Sequence, residues 1–158
     1  MTEDLSPLEM IRANAEMVLA VARNDVGRDI GYDEAGVRWL NGYIQALVDQ
    51  GGVEASEELC DRLGSFLGTC IVETYGGAWQ DTEYGWAVVM AGDLAVFPFN
   101  KTLKHLTEGE GDSVLGLFTS IPAMIDYAGS TPDTRPEAAT EGGSRSFMSR
   151  IANLFRRR

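Results

Sequence analysis

Histidine is all but missing from this chain, cysteine is scarce, and few basic residues precede the last fourteen positions. His105 is the only imidazole, so any His-dependent triad or His-containing metal site must use it. Together with Cys60 and Cys70 it makes three Cys or His side chains, too few for a four-ligand structural zinc site with short spacings. The two cysteines fall on one expected helix, about 15 Å apart along its axis, whereas a disulfide tolerates a Cα separation of only about 7 Å. They are expected as reduced, partly buried thiols. No run of 18 apolar residues occurs, and Met1-Thr2-Glu3-Asp4 is acidic where a secretory signal starts basic, so the chain reads as cytoplasmic. No glycine-rich phosphate cradle is present, and neither residues 81–85 nor 108–112 follow the twelve-residue calcium-loop pattern. Neither a metal nor a cofactor is expected.

What the chain does have is a division of charge. Residues 1–144 hold 8 Lys+Arg against 24 Asp+Glu, a net of −16, while residues 145–158 hold five Arg and no acid, a net of +5; the sum is the −11 of the whole chain. Between them, residues 129–144 (GSTPDTRPEAATEGGS) have little to bury and read as a flexible spacer. The expected organisation is one acidic domain over 1–128, a spacer over 129–144 and a basic tail over 145–158. Such a domain can bury roughly two-thirds of its unfolded surface around one core. Its acidity repels phosphates, so nucleic acid is not an expected partner.

Hydrophobic periodicity places the elements. Ser6-Pro7-Leu8-Glu9 is a capping box with Pro at the first helical position, and Leu8, Ile11, Ala15, Val18, Leu19 and Ala22 form the stripe of a helix closed by Gly27. A second amphipathic helix is expected over about 33–50, stopped by Gly51-Gly52. A third, over about 56–75, carries Leu59, Leu63, Phe66, Leu67, Cys70 and Ile71 beside a row of small residues, Cys60, Gly64 and Gly68. Two interior glycines cost about 1 kcal/mol each relative to Ala, so an element packing closely on that row is expected, from the same chain or across a dimer seam. At Gly76-Gly77 the period changes to two. Short strands over 78–80, 86–90 and 94–99 read as an antiparallel meander, with Pro98 confining the third to an edge or ending its pairing. Asn100 is expected to cap a short helix containing His105, and Asp112 or Ser113 another, which Pro122 should kink or restart after Ser120. The fold class is α+β: N-terminal helices, a three-stranded antiparallel meander, then short helices packed on the sheet.

Candidate chemistry is thin. Ser65 or Cys70 would need the His105 imidazole within hydrogen-bond reach, and Gly64-Ser65-Phe66-Leu67-Gly68 is not the Gly-x-Ser-x-Gly elbow, because its Ser directly follows the first Gly in mid-helix. His105, beside Lys104 on a short polar helix, reads as a solvated side chain titrating near neutral pH. Aromatic residues concentrate between 79 and 99; Phe97 and Phe99 read as core, while Trp79 and Tyr84, among Gln80, Asp81 and Glu83, are candidates for a binding patch on the sheet.

The tail, RSFMSRIANLFRRR, has the outline of a basic amphipathic helix. Phe147, Met148, Ile151, Leu154 and Phe155 fall within about 120° of the helical wheel, and Arg145, Arg150, Arg156 and Arg157 lie outside that arc. At under four turns it needs a surface to fold on. Its own acidic body or a neighbouring copy, an anionic membrane, and a partner's groove are the three surfaces that fit.

Tyr75-Gly76-Gly77-Ala78-Trp79, Trp86, Val96-Phe97-Pro98-Phe99, Lys104 and Gly109-Glu110-Gly111-Asp112-Ser113, preceded by Arg38-Trp39-Leu40 and Gly42-Tyr43-Ile44, resemble a bacterial family known only as a domain of unknown function. The resemblance covers about residues 5–127 and excludes spacer and tail. It implies a bacterial source and a one-domain α+β unit, and brings no activity, cofactor or catalytic residue. The leading functional expectation is a non-enzymatic interaction protein, an adaptor or immunity-like binder engaging protein through Arg145, Phe147, Arg150, Ile151, Leu154, Phe155 and Arg156. The alternatives are a peripheral membrane protein docked by the same helix and a hydrolase using His105.

Overall fold

The capping box forms as the sequence dictates: the Glu9 amide donates to Ser6 Oγ at 3.2 Å, the Ser6 amide donates to Glu9 Oε1 at 2.9 Å, and α1 (Pro7–Val26) follows. The computed structural model describes residues 4–51 and 56–134, with side chains as far as 129, so the tail and most of the expected spacer lie outside it. The same capping logic starts α2 (Glu34–Asp49), where Asp33 accepts from the Gly36 amide, and α3 (Glu57–Tyr75), where Ser56 accepts from the Leu59 amide. Gly76 and Gly77, both at positive φ, end α3 and turn the chain into the sheet. Strands β1 (Ala78–Thr82), β2 (Gly85–Met90) and β3 (Leu94–Val96) are antiparallel in that order, with Trp79 opposite Val88 and Val88 opposite Val96. Helices α4 (Pro98–Glu108) and α5 (Val114–Thr134) complete an α+β fold.

α3 occupies the centre, with nine of its nineteen residues buried. Leu63, Phe66, Leu67, Cys70 and Ile71 are buried in one cluster with Val18 and Ala22 of α1, Val37, Leu40 and Ile44 of α2, Val88 and Val96 of the sheet, and Phe118 and Ile121 of α5. Each large side chain removed from water contributes about 1.5–3 kcal/mol. The small-residue row beside the stripe is covered from within the chain. A Cβ on Gly64 would lie 2.5 Å from Phe99 Cδ1, and one on Gly68 would collide with the Trp79 ring. Trp79 and Phe99 themselves meet at 5.5 Å between centroids. Intramolecular packing, not a dimer seam, therefore uses the groove that the glycines open.

β3 is an edge strand whose pairing ends before Pro98, as expected, but it stops at Val96, short of the expected 99, and Pro98 opens α4, where its missing N–H has no helical partner to lose. Phe97 is buried as expected, but Phe99 belongs to α4 and is only half-buried, and Asn100 lies inside that helix instead of capping it. Pro122 does not break α5, which runs on to Thr134 through the first six residues of the segment read as spacer.

Candidate functional site

His105 is fully buried on α4, not solvated, which overturns the expectation of a side chain titrating near neutral pH. Its Nδ1 accepts from the Val114 amide at 3.2 Å, so the neutral ring carries its proton on Nε2 and donates to Gln45 Oε1 at 3.0 Å. Burial, with the Lys101 ammonium as second cause, lowers its pKa to about 4, against a weaker opposing effect of Asp112. Lys101, itself nearly buried and lowered by burial, reaches Asp112 at 3.5 Å. The sequence misled here because Lys104 is a neighbour in sequence only. His105, Lys101, Thr102 and Leu106 form the inward side of the helix.

The imidazole in fact caps α5. The first amide of that helix, Val114, goes to His105; the second, Leu115, goes to Asn41 Oδ1 of α2 at 3.2 Å; the third, Gly116, goes to Ser113 Oγ at 3.0 Å. Neither candidate nucleophile meets the ring nitrogens. Ser65 is buried in α3 and donates to the Asp61 carbonyl at 2.6 Å. Cys60 and Cys70 are unpaired and buried, with both thiol pKa values pushed up by burial, which suppresses the thiolate.

Trp79 and Tyr84 are both half-buried and packed against the core, Trp79 over Gly68 and Tyr84 at the β1–β2 turn, where its amide donates to Thr82 Oγ1. Trp79 also borders a cleft of about 450 Å³ between α1, the C-terminal half of α3 and the start of β1, with Arg12, Glu16, Tyr32 and Glu73 around it. The Tyr32 phenol is raised by burial first and by the Glu16 charge second. The cleft sets charges of both signs around an apolar lining that includes Leu8, Ile11 and Val72.

A more coherent surface lies on the other side of α1. Met17 and Val21 of α1, Trp39 and Tyr43 of α2, and Leu59 and Leu63 of α3 line a groove of about 130 Å³. Trp39 and Tyr43 stack with centroids 5.1 Å apart and planes 24° apart, and Trp39 Nε1 donates to Asp25 Oδ2 at 2.8 Å, which fixes the indole edge at the rim. Arg62 stands at the opposite rim, paired with Glu58 at 2.6 Å. Met10, Met17 and Val21 are 51%, 46% and 48% exposed. They recur at seven and four residues, within about 40° of the α1 wheel, and so extend the groove as an apolar ribbon along the helix. This second stripe was readable in the sequence, but the stronger stripe through Ile11, Ala15 and Val18 masks it. Tail residues Arg145, Phe147, Arg150, Ile151, Leu154, Phe155 and Arg156 lie outside the described residues.

Among the described residues no group of three or more His, Cys, Asp or Glu side chains is arranged to hold a metal ion, and no helix is long and apolar enough to cross a membrane. Comparison with family models, with curated proteins and with solved structures gives no significant match.

Proposed function

We propose that this is a non-enzymatic, protein-binding protein of the bacterial cytoplasm, an acidic adaptor or immunity-like binder that receives an amphipathic polypeptide helix in the groove between α1, α2 and α3. The observation that carries the reading is the groove itself: Trp39, Tyr43 and Arg62 are the residue types that dominate interface energetics, and they stand beside the half-exposed Met17, whose soft side chain adapts to a partner. The exposed spacing along α1 suits a helix laid in the groove by anchors at i, i+3 or i+4 and i+7. His105 supports the same reading from the other direction, since the one imidazole is spent on capping a helix.

The test is comparative capture from the source cell by the full chain, by Met17→Glu/Val21→Glu, and by Ile151→Glu/Leu154→Glu. Both α1 positions are about half exposed, so the groove variant should stay folded while losing partners. Capture that is identical for all three proteins would end the proposal.

A further inference from the structure

Which occupant fits this groove is written in the same chain. We propose that residues 145–158 dock as a helix in the groove between α1, α2 and α3 of their own molecule; this rests on the reading of that groove as a polypeptide-binding surface. Three observations carry it.

The first is apolar match. Phe147, Ile151 and Leu154 repeat at four and three residues, and Met148, Ile151 and Phe155 at three and four, the spacing of groove-binding anchors. Phe147 to Phe155 spans about 12 Å as a helix, against about 16 Å from Met10 to Val21 along α1. A greasy segment too short to fold unaided thus meets a greasy ribbon of similar length that nothing in the described residues covers.

The second is charge. Five arginines and no acid face a body of net −16; at the groove itself the lining cation, Arg62, is paired with Glu58, and Asp25 stands beside Trp39. The Arg145, Arg150, Arg156 and Arg157 positions lie off the apolar arc, so that arc can enter the groove while the guanidinium groups stay outside it, toward the acidic body.

The third is reach. α5 is described as far as Thr134, and residues 135–146 can extend at most about 40 Å, the order of the diameter of a domain this size. Linkage through so short a segment gives an effective concentration in the millimolar range, so even a weak peptide–groove affinity fills the site in cis. An external partner must then displace the tail, and the tail sets the threshold for binding.

The experiment uses the full chain. Ser149→Cys places a thiol opposite the apolar arc, and a nitroxide label will attach there selectively because Cys60 and Cys70 are buried. Methyl spectra of Met and Val are recorded with the label oxidised and reduced. Docking predicts that Met17 and Val21 lose about half their intensity or more, and more than any other Met or Val outside the tail. The effect should be independent of protein concentration and weaken at about 1 M salt, where the Debye length is about 3 Å. Ile151→Glu/Leu154→Glu should abolish it and lower the melting temperature slightly, by the stabilisation that the docked tail contributes, while the body stays folded. Uniform broadening, broadening that grows with protein concentration, or a label immobilised only on adding phosphatidylserine vesicles overturns the proposal. A synthetic 145–158 peptide added to the Ile151→Glu/Leu154→Glu chain separates the two readings. If it perturbs Met17 and Val21 while the attached label does not, self-docking fails and the groove stands; if neither acts, both fall.

Discussion

The hydroxyl of Tyr75, at the end of α3, donates to the carbonyl of Phe118 in α5 at 3.0 Å. In an uninterrupted helix that carbonyl accepts from residue 122, and residue 122 is a proline with no N–H. The phenol therefore supplies the donor that the helix lacks, and the Tyr75 and Phe118 rings pack with centroids 4.9 Å apart around the bond. α5 passes through Pro122 because another helix completes its hydrogen bonding.

Tyr75→Phe should then cost about 1–2 kcal/mol, the penalty of leaving a part-buried carbonyl without its partner. In a Pro122→Ala background the restored amide serves Phe118, and the same substitution should cost less by most of that amount. Urea unfolding of the four proteins of this cycle checks the coupling. An equal cost in both backgrounds would refute the compensation.

Gly68→Ala in a helix interior ordinarily gains up to about 1 kcal/mol. Here the new methyl meets the Trp79 ring, so a loss of about 1–3 kcal/mol is expected. Introduced after Trp79→Ala, the same change should cost much less, the remaining close contact being Pro98 Cγ at 3.1 Å from the new methyl. Thermal or chemical denaturation measures the difference, and a gain in the parental protein would mean that the ring does not hold the groove.

His105 makes stability depend on pH. Its folded pKa, about 4, lies below the ordinary 6.5, so below pH 6.5 the unfolded chain binds the extra proton. Its contribution is fully present above about pH 6.5 and declines as pH falls toward 4, by up to about 3 kcal/mol. Lys101 and Asp112 share the site and act on the ring in opposite senses. Subtracting the pH–stability curve of His105→Asn from that of the parent isolates the effect. A flat difference between pH 6.5 and 4 would contradict it.

Thr102 carries the one buried side-chain oxygen without a hydrogen-bond partner among the described residues. Thr102→Val keeps the shape and removes the unsatisfied hydroxyl, so stability should rise by about 1 kcal/mol. A loss in equilibrium unfolding would show that the hydroxyl has a role in the fold.

Local rules carried the reading of the sequence wherever the physics was local. Ser6, Asp33 and Ser56 each cap the helix they precede, Gly27, Gly76 and Gly109 each close one, and the shift from period 3.6 to period 2 marks the start of the sheet. The small row of α3 pointed correctly to close packing, though only the fold shows that Trp79 and Phe99 supply it. At Pro98 the edge strand ends its pairing as read, but the helix that begins there and the continuation through Pro122 were missed, because a proline's consequence depends on what lies around it; the phenol that repairs the ladder lies 43 residues from Phe118. His105 failed for the same reason, since Gln45 reaches it across 60 residues. The groove on α1 was obscured because its second apolar stripe is weaker than the one that makes the core.

The first turn of α5 has a further consequence, which concerns the order of assembly. Two of its three leading amides are held by side chains borrowed from α2 and α4, one of them 74 residues upstream. That helix cannot close its first turn at low cost until both acceptors of those caps are already seated, so it should be the latecomer of the fold and the earliest to exchange its amide protons. Whatever follows Thr134 in the chain hangs from the element that locks last.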